Sequence, residues 1–168
     1  QMLTATLPVY VISLGGTQAD AGLVTGALAF MALLCRPLSG WLTDAWRRRP
    51  MVLIGTSLYA FASVIYSLAG SIPILLVGRL VHGFGLSFYS TASNVYVADI
   101  SPLRRRAEAV GLFAASQALG LIIGPVIGFM LVASAGFQHL FHFTAGLAVI
   151  AFLLSIFTKE RRQPSKIK

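Results

Sequence analysis

The stretch GWLTDAWRRRP, residues 40–50, places one carboxylate beside three arginines between two long apolar runs. Gly40 and Asp44 are four residues apart, so they lie on one face of a helix. The Asp44 carboxylate can pair with an arginine or sit at the positive N-terminus of a neighbouring helix. Either contact would hold two helix ends together, and Gly40 would let another helix approach closely. A basic loop with a solvated Asp44 is the alternative interpretation.

The stretch GRLVHGFG, residues 78–85, puts charge inside an apolar run. Arg79 lies about 10 Å from the end of that run at 1.5 Å per residue, where a charge is costly and indicates function. His82 shares its helix face and is predicted either to carry a proton or to bond a neighbouring helix. Arg36 either reaches back to the membrane surface or lines a cavity. Gln117 is predicted to join two helices.

The stretch GLIIGPVIGF, residues 120–129, sets glycines and a proline inside an apolar run. In water, glycine costs a helix interior about 1 kcal/mol and proline about 3 relative to alanine. In lipid the backbone stays helical because unsatisfied groups are costly. The glycines therefore clear one face for a neighbouring helix, and the proline bends the helix. The spaced residues are Gly111, Gly120, Gly124, Pro125 and Gly128.

Composition predicts an integral membrane protein. The 168 residues are 57% hydrophobic and only 11% charged, with a mean hydropathy of +0.81, whereas soluble domains carry about 25% charge. The net charge of +8 does not indicate nucleic-acid binding, because 11 of the 13 basic residues cluster beside apolar runs, at 47–49, 104–106 and 159–168. The single Cys35 cannot form an intrachain disulfide.

The apolar runs predict one partial and five full membrane spans. A crossing helix needs about 20 mostly apolar residues. The predicted spans are 1–13 (partial), 21–42, 51–70, 72–98, 107–133 and 138–157. Thr17 and Asp20 form a capping-box pattern before the second span, and Gly136 follows the fifth.

The charges predict the orientation of these spans. The basic segments 43–50, 99–106 and the tail from 158 belong to the cytoplasm, and the loops between them, without Lys or Arg, lie outside. Six helices with both ends cytoplasmic are therefore expected, with the first helix starting before residue 1 and a cytoplasmic linker starting at 158–168. RPLSGW (36–41) and GPVIGF (124–129) run in opposite directions, as in a 3+3 inverted repeat of transporters.

The segment 40–49 resembles the loop between the second and third helices of the major facilitator superfamily, with the pattern G-x-L-A/T-D-x-x-G-R-R/K. The matching positions are Gly40, Leu42, Thr43, Asp44, Arg48 and Arg49. Arg47 stands where the family usually has glycine. The resemblance implies a charge relay among Asp44, Arg48 and Asp99 that locks the cytoplasmic side in the outward-open state. Gly40 and Arg49 are assigned to the same cytoplasmic gate.

Two further patterns are similar to motifs of the same superfamily. Arg79 and Gly83 match its fourth-helix R-x-x-x-G, in which the arginine is linked to proton transfer, and His82 stands where glutamine is common. The glycine spacing resembles the fifth-helix antiporter motif G-x8-G-x3-G-P-x2-G-G, with Phe129 in place of the last glycine. That motif implies a proton-coupled exporter and a close, bendable contact with the second helix that seals against proton leak.

The resemblance predicts an all-α integral membrane fold, the N-terminal six-helix half of a major facilitator transporter in the drug and metabolite antiporter branch. The expected function is proton-coupled efflux of small organic molecules from the cell by alternating access in the cell membrane. The expected partners are the lipid bilayer, a small-molecule substrate and a C-terminal six-helix half. No cofactor besides the proton gradient, no metal site and no enzyme activity are expected.

Two alternatives remain open at this point. The chain could belong to a proton-coupled importer of the same superfamily, or to a membrane scaffold or receptor that does not transport. The predicted spans contain no deep Asp or Glu, although a proton-coupled carrier usually needs a buried titratable group. The titratable group then lies elsewhere in the protein, or His82 is that group, or the prediction of proton coupling is wrong.

Overall fold

The computed structural model describes residues 2–46 and 48–158, and these residues fold into helices without strands. The elements are α1 Met2–Ser13, α2 Gln18–Ala45, α3 Arg48–Ser67, α4 Ile72–Ile100, a 3₁₀ turn Leu103–Arg105 and α5 Arg106–Ile156. Of the linker predicted at 158–168, only Thr158 is described, so the basic tail from 159 lies outside the described residues. The division into bundle and linker therefore stays a prediction.

The longest element, α5, consists of two helices joined at Gly136. Gly136 has φ 82° and ψ 174°, a left-handed conformation that glycine adopts without steric cost. The apolar stretch Leu103–Ile156 has 54 residues, about 80 Å of helix, whereas a hydrocarbon core is about 30 Å thick. The two arms, 106–135 and 137–156, therefore cross separately, and the break falls at the glycine that the sequence marks.

The capping box at the start of α2 is confirmed. The Asp20 amide donates to Thr17 Oγ1 at 3.2 Å, and the Thr17 amide donates to Asp20 Oδ2 at 2.8 Å. Each side chain thus satisfies a backbone donor that the first helical turn leaves unpaired. These local bonds set where the chain turns from α1 into α2.

The turns at Gly15, Gly70 and Gly136 lie at one end of the bundle, here named the loop end. The Tyr10 hydroxyl donates to the Ala69 carbonyl at 2.8 Å, and the Tyr10 ring packs 4.8 Å from the Phe137 ring, centroid to centroid. The larger hydrophobic cluster lies toward this end and contains Leu7, Val11, Tyr66, Leu75, Leu140 and Phe141. A smaller cluster of Met51, Val52, Phe88 and Ala92 lies toward the opposite, basic end.

Glycines set the closest helix pairs. A Cβ on Gly83 of α4 would lie 2.5 Å from the Leu28 carbonyl oxygen of α2, and one on Gly128 would lie 3.2 Å from Thr6 Cγ2 of α1. The fourth helix thus packs on the second, and the first arm of α5 packs on α1. In a 3+3 repeat the first helix corresponds to the fourth and the second to the fifth. The pair of second and fourth helices therefore corresponds to the pair of fifth and first helices, as the structure has it.

The partner predicted for the Gly-Pro motif is wrong at Gly128. The motif was expected to contact the second helix, but Gly128 lies against Met2 and Thr6 of α1. The physical reason is that α4, through Gly83, already occupies the face of α2 around Leu28. The first arm of α5 therefore finds its small-residue contact on α1.

The outer surface of the bundle is apolar. Phe30, Leu33 and Met130 are each more than 60% exposed, and four helices of the described residues are long and apolar enough to cross a membrane. Such a surface would be unfavourable in water, because burial of apolar area is worth about 25 cal/mol per Å². The described residues therefore form a membrane bundle, with core contacts inside and lipid-compatible side chains outside.

Candidate functional site

An ion-pair network joins three helices at the basic end. Arg48, at the start of α3, lies with Nη2 3.8 Å from Asp44 Oδ1 of α2 and with Nε 3.3 Å from Asp99 Oδ2 of α4. Arg48 Nη1 also donates to the Thr43 carbonyl. The structure thus brings together the three residues that the resemblance implied. Asp44 is 80% exposed, whereas Arg48 and Asp99 are 29% and 27% exposed.

Arg49 does not join this network, contrary to the prediction. Its Nη2 donates to the Ile156 carbonyl at 2.7 Å, where the last carbonyls of α5 have no partner within their own helix. The positive charge also suits the negative end of the helix dipole. Arg49 therefore ties the start of α3 to the end of α5, because its side chain leaves α3 on a different face from Arg48.

Three other sequence-predicted residues are Gly40, Gly111 and Arg36. A Cβ built on Gly40 or Gly111 meets nothing within 4 Å among the described residues, so the close approach predicted at Gly40 is wrong for this part of the chain. Arg36 is exposed and is absent from the lining of the cavity described below. Its exposure is compatible with the alternative that it reaches the membrane surface, and its part in another cavity stays a prediction.

Arg79 is the most deeply placed charge of the described residues. It is 1% exposed, and its Nη2 donates to the Leu3 carbonyl of α1 at 3.3 Å. Its Nε is buried without a partner among the described residues. A buried cation with incomplete hydrogen bonding is costly, so Arg79 is a feature that packing alone does not explain.

His82 sits one turn from Arg79, among tyrosines of α3 and α4. Its Nδ1 lies 3.4 Å from the Tyr66 hydroxyl, and its ring packs 4.9 Å from the Tyr59 ring, edge to face. Tyr59 in turn lies 5.5 Å from Tyr89. His82 therefore bonds a neighbouring helix, which is one of the two predicted alternatives, and the structure adds an aromatic surround.

A cavity of about 610 Å³ opens between the two hydrophobic clusters. His82, Gln117, Gly120 and Gly124 line it, so Gln117 faces this space rather than joining two helices as predicted. The other lining residues are Met2, Leu3, Thr4, Leu28, Tyr59, Ser63, Leu86, Tyr89, Ser90, Leu119, Ile123, Ile127, Thr144, Leu147 and Ala148. The wall is mostly apolar with a few neutral polar groups, the usual composition of small-molecule sites.

Sequence reasoning missed the tyrosines around His82. Tyr59, Ser63 and Tyr66 follow one another at helical spacing on α3, so a polar stripe on an otherwise apolar run was the available signal. It could not be assigned to the surface around His82 before α3 and α4 were packed together. For a metal, no group of three or more His, Cys, Asp or Glu ligands occurs among residues 2–46 and 48–158.

Comparison with known proteins gives one family and a set of relatives. The sequence model of the Major Facilitator Superfamily matches residues 1–168. The quinolone resistance protein NorA of Staphylococcus aureus (strain Mu50) is 28% identical over 155 residues, 92% of this chain and 40% of the relative. Multidrug resistance protein 2 of Bacillus subtilis (strain 168) is 29% identical over 136 residues, 81% of this chain and 34% of the relative. The chain thus spans well under half the length of these two relatives.

Proposed function

The chain belongs to the Major Facilitator Superfamily, and on that premise we propose that it forms the N-terminal half of a proton-coupled exporter of small organic molecules. Membership points to a transporter rather than an enzyme. The names of the relatives, quinolone resistance and multidrug resistance, support drug-like organic substrates and outward transport. The whole protein would work by alternating access in the cell membrane, together with a C-terminal six-helix half.

The observation that carries this proposal is the network of Asp44, Arg48 and Asp99. It ties the ends of α2, α3 and α4 at the basic end, which the positive-inside rule places in the cytoplasm. Partly exposed ion pairs are worth about 1 kcal/mol or less. A link of that strength closes the cytoplasmic side, yet it can break and re-form in every transport cycle.

We propose that α5 and α1 move against each other during transport, at a contact here named the seam. Gly128 brings the first arm of α5 against Thr6, and Pro125 lies three residues before it inside the helix. A small-residue contact lets two helices slide without interlocking side chains, and a proline weakens the local backbone ladder. Gly120 and Gly124 keep the adjoining wall of the cavity free of bulk.

The proposed part of Arg79 in proton coupling is electrostatic. It is a buried positive charge held by α1, and such a charge favours the deprotonated form of a nearby acid. The described parts of the membrane spans hold no deep carboxylate. We therefore assign to Arg79 the support of a coupling site, and not the carriage of the proton itself.

Transport assays in everted membrane vesicles containing the full-length parent test the proposal. A pH-sensitive fluorescent dye would report the respiration-driven gradient while quinolones, organic cations and metabolites are added one at a time. We expect at least one compound to collapse the gradient, and Asp44→Asn to abolish this effect. Glu108→Gln is the matched control, because it removes a carboxylate near the same end that lies outside the network. A wide panel with no active compound, with the protein present and folded, would reject proton-coupled export.

A further inference from the structure

Arg36 is a charge within a membrane helix that the described bundle leaves without a partner. It lies nine residues before the end of α2 at Ala45, about 13 Å along the helix axis. The side chain is exposed, and none of the ion pairs or hydrogen bonds among residues 2–46 and 48–158 involves its guanidinium. Charged side chains inside membrane helices almost always face protein or a water-filled cavity and pair with other groups there. The partner of Arg36 is therefore to be sought outside the described residues.

The direction of α2 argues against contact between Arg36 and the nearby membrane surface. The Cα–Cβ bonds of a helix tilt toward its N-terminus, and long side chains follow that direction. Because α2 begins at the loop end, the Arg36 side chain leaves the backbone toward the middle of the membrane. Trp41, which is 65% exposed and five residues nearer the basic end, is of the residue type that marks membrane interfaces. Arg36 starts about 7 Å deeper than Trp41 and extends away from that interface.

The helix α2 has three faces, because residues three and four apart lie on the same side of a helix. The buried face packs inside the bundle and contains Ala21, Val24, Ala32, Cys35, Ser39 and Thr43. A second face carries large exposed apolar side chains that suit lipid, namely Leu23, Phe30, Leu34, Leu38 and Trp41. The third face, here named the open face, contains Gly22, Gly26, Ala29, Leu33, Arg36, Gly40 and Asp44. Arg36 thus lies on neither the packed face nor the bulky apolar face.

The glycines of the open face indicate that another helix packs there. A Cβ built on Gly22, Gly26 or Gly40 meets nothing within 4 Å, so no contact within the described residues requires these glycines. Glycine costs a helix interior about 1 kcal/mol relative to alanine, whereas in membranes small residues let a neighbouring backbone come close. The described bundle does not supply that neighbour. On the proposed function, the neighbour is a helix of the C-terminal six-helix half.

We propose that Arg36 forms an ion pair with an aspartate or glutamate on a helix of the C-terminal half that packs against the open face. This inference rests on the proposed function, since it requires that second half. The described membrane spans hold no carboxylate at the depth of Arg36. Asp44, the carboxylate of the open face, lies eight residues further on and pairs with Arg48. Charge complementarity therefore requires a carboxylate from outside, and a guanidinium binds one through two parallel hydrogen bonds.

This ion pair joins the two halves of the protein, whereas the network of Asp44, Arg48 and Asp99 joins helices of one half. Arg36 lies beyond the midpoint of α2, which runs from residue 18 to residue 45, and thus on the basic side of the membrane. The pair therefore closes the cytoplasmic part of the space between the halves. Alternating access has to separate the halves at this level, so the pair breaks when the cytoplasmic side opens.

A double-mutant cycle in the purified full-length parent tests the ion pair by thermal unfolding in detergent. Each Asp and Glu in the apolar spans of the second half is changed to Asn or Gln, alone and together with Arg36→Gln. Removing one partner leaves the other charge unpaired in a low dielectric, so we expect Arg36→Gln to lower the Tm by roughly 5 °C. One second-half substitution should restore most of that loss when it is combined with Arg36→Gln. Arg104→Gln, which removes an exposed charge of the basic loop, is the matched control and should leave the Tm unchanged.

The outcomes separate this inference from the proposed function, because the unfolding cycle needs no transport. A parent that transports nothing would contradict the proposed function, while the cycle still decides whether the ion pair exists. Equal Tm values for Arg36→Gln and Arg104→Gln, or a loss that no second-half substitution restores, would overturn the ion pair. If Arg36→Gln fails to fold, recovery of folded protein in one double variant supports the pair, and failure of all double variants overturns it.

A carboxylate of the transported molecule is the other source of the same chemistry. Norfloxacin, which carries a carboxylate, and ethidium, which carries none, distinguish the two sources. An unchanged Tm for Arg36→Gln with a raised KM for norfloxacin alone would assign Arg36 to the substrate and overturn the second-half partner. A lowered Tm with equal effects on the transport of both probes would support the ion pair between the halves.

Discussion

Replacing Gly83 by alanine inserts a methyl group where α4 crosses α2. The added Cβ would lie 2.5 Å from the Leu28 carbonyl oxygen and 3.0 Å from Met31 Cβ. A carbon–oxygen contact needs about 3.3 Å, so the two helices must separate by roughly 0.8 Å. The obstacle at Leu28 is backbone, and no side-chain rotation relieves it. We therefore expect Gly83→Ala to destabilise the bundle.

The expected size follows from two opposed terms. Overpacking a well-packed contact costs about 1–3 kcal/mol, and replacing glycine by alanine inside a helix returns about 1 kcal/mol. The net destabilisation is then about 0–2 kcal/mol. Gly146→Ala is the matched control, because a Cβ there meets nothing within 4 Å and only the favourable term applies. The two variants should differ by about 1–3 kcal/mol.

Thermal unfolding of the purified full-length parent in detergent measures this difference, together with transport per folded molecule. A lower Tm for Gly83→Ala and an unchanged or higher Tm for Gly146→Ala are expected. Equal Tm values for the two variants would refute the packing argument. A large loss of transport by Gly83→Ala at unchanged Tm would also refute it, because Gly83 would then act in the transport cycle and not in helix packing.

Three further changes have expected outcomes. Arg49→Gln removes the charge and the hydrogen bond at the end of α5 and should lower the stability of that end by about 0.5–2 kcal/mol. Faster amide exchange over residues 150–158 is the expected result. Unchanged exchange would contradict a stabilising contact between Arg49 and the end of α5. Thr56→Val breaks the 3.0 Å hydroxyl contact with Ser155 and should cost about 0.5–1.5 kcal/mol in thermal unfolding, while Ser57→Ala, exposed and bonded within its own helix, should be neutral. Gly128→Ala should keep transport because the nearest side-chain atom at 3.2 Å can give way, whereas Gly128→Leu should lose most of the transport activity. Equal transport by the two variants would argue against a moving contact between α5 and α1.

Much of the fold was predictable because membrane helices depend on local properties. The apolar runs, the cap formed by Thr17 and Asp20 and the break at Gly136 each involve residues close in the chain. In lipid an unsatisfied backbone group is so costly that an apolar run of sufficient length has few conformations besides a helix. The i,i+4 pair of Asp44 and Arg48 is local in the same sense.

The candidate site depends on contacts between distant residues, and there the predictions were uneven. The contact between Arg48 and Asp99 was expected only through resemblance to a family. Arg49 was placed in the same network, although its partner Ile156 is 107 residues away. The contact of Gly128 with α1 was assigned to the wrong helix, because a glycine marks a close approach without naming the helix that approaches.

The sequence by itself determined that this chain is an all-α membrane protein, where its helices turn, and which residues are unusual in an apolar setting. Only the tertiary structure decided what those residues face: Arg79 donates to the Leu3 carbonyl, His82 contacts the Tyr66 hydroxyl, and Gln117 opens on a cavity. Helix formation is settled by hydrogen bonds four residues apart. The environment of a side chain is settled by which helix faces meet, and that depends on the packing of all the helices at once.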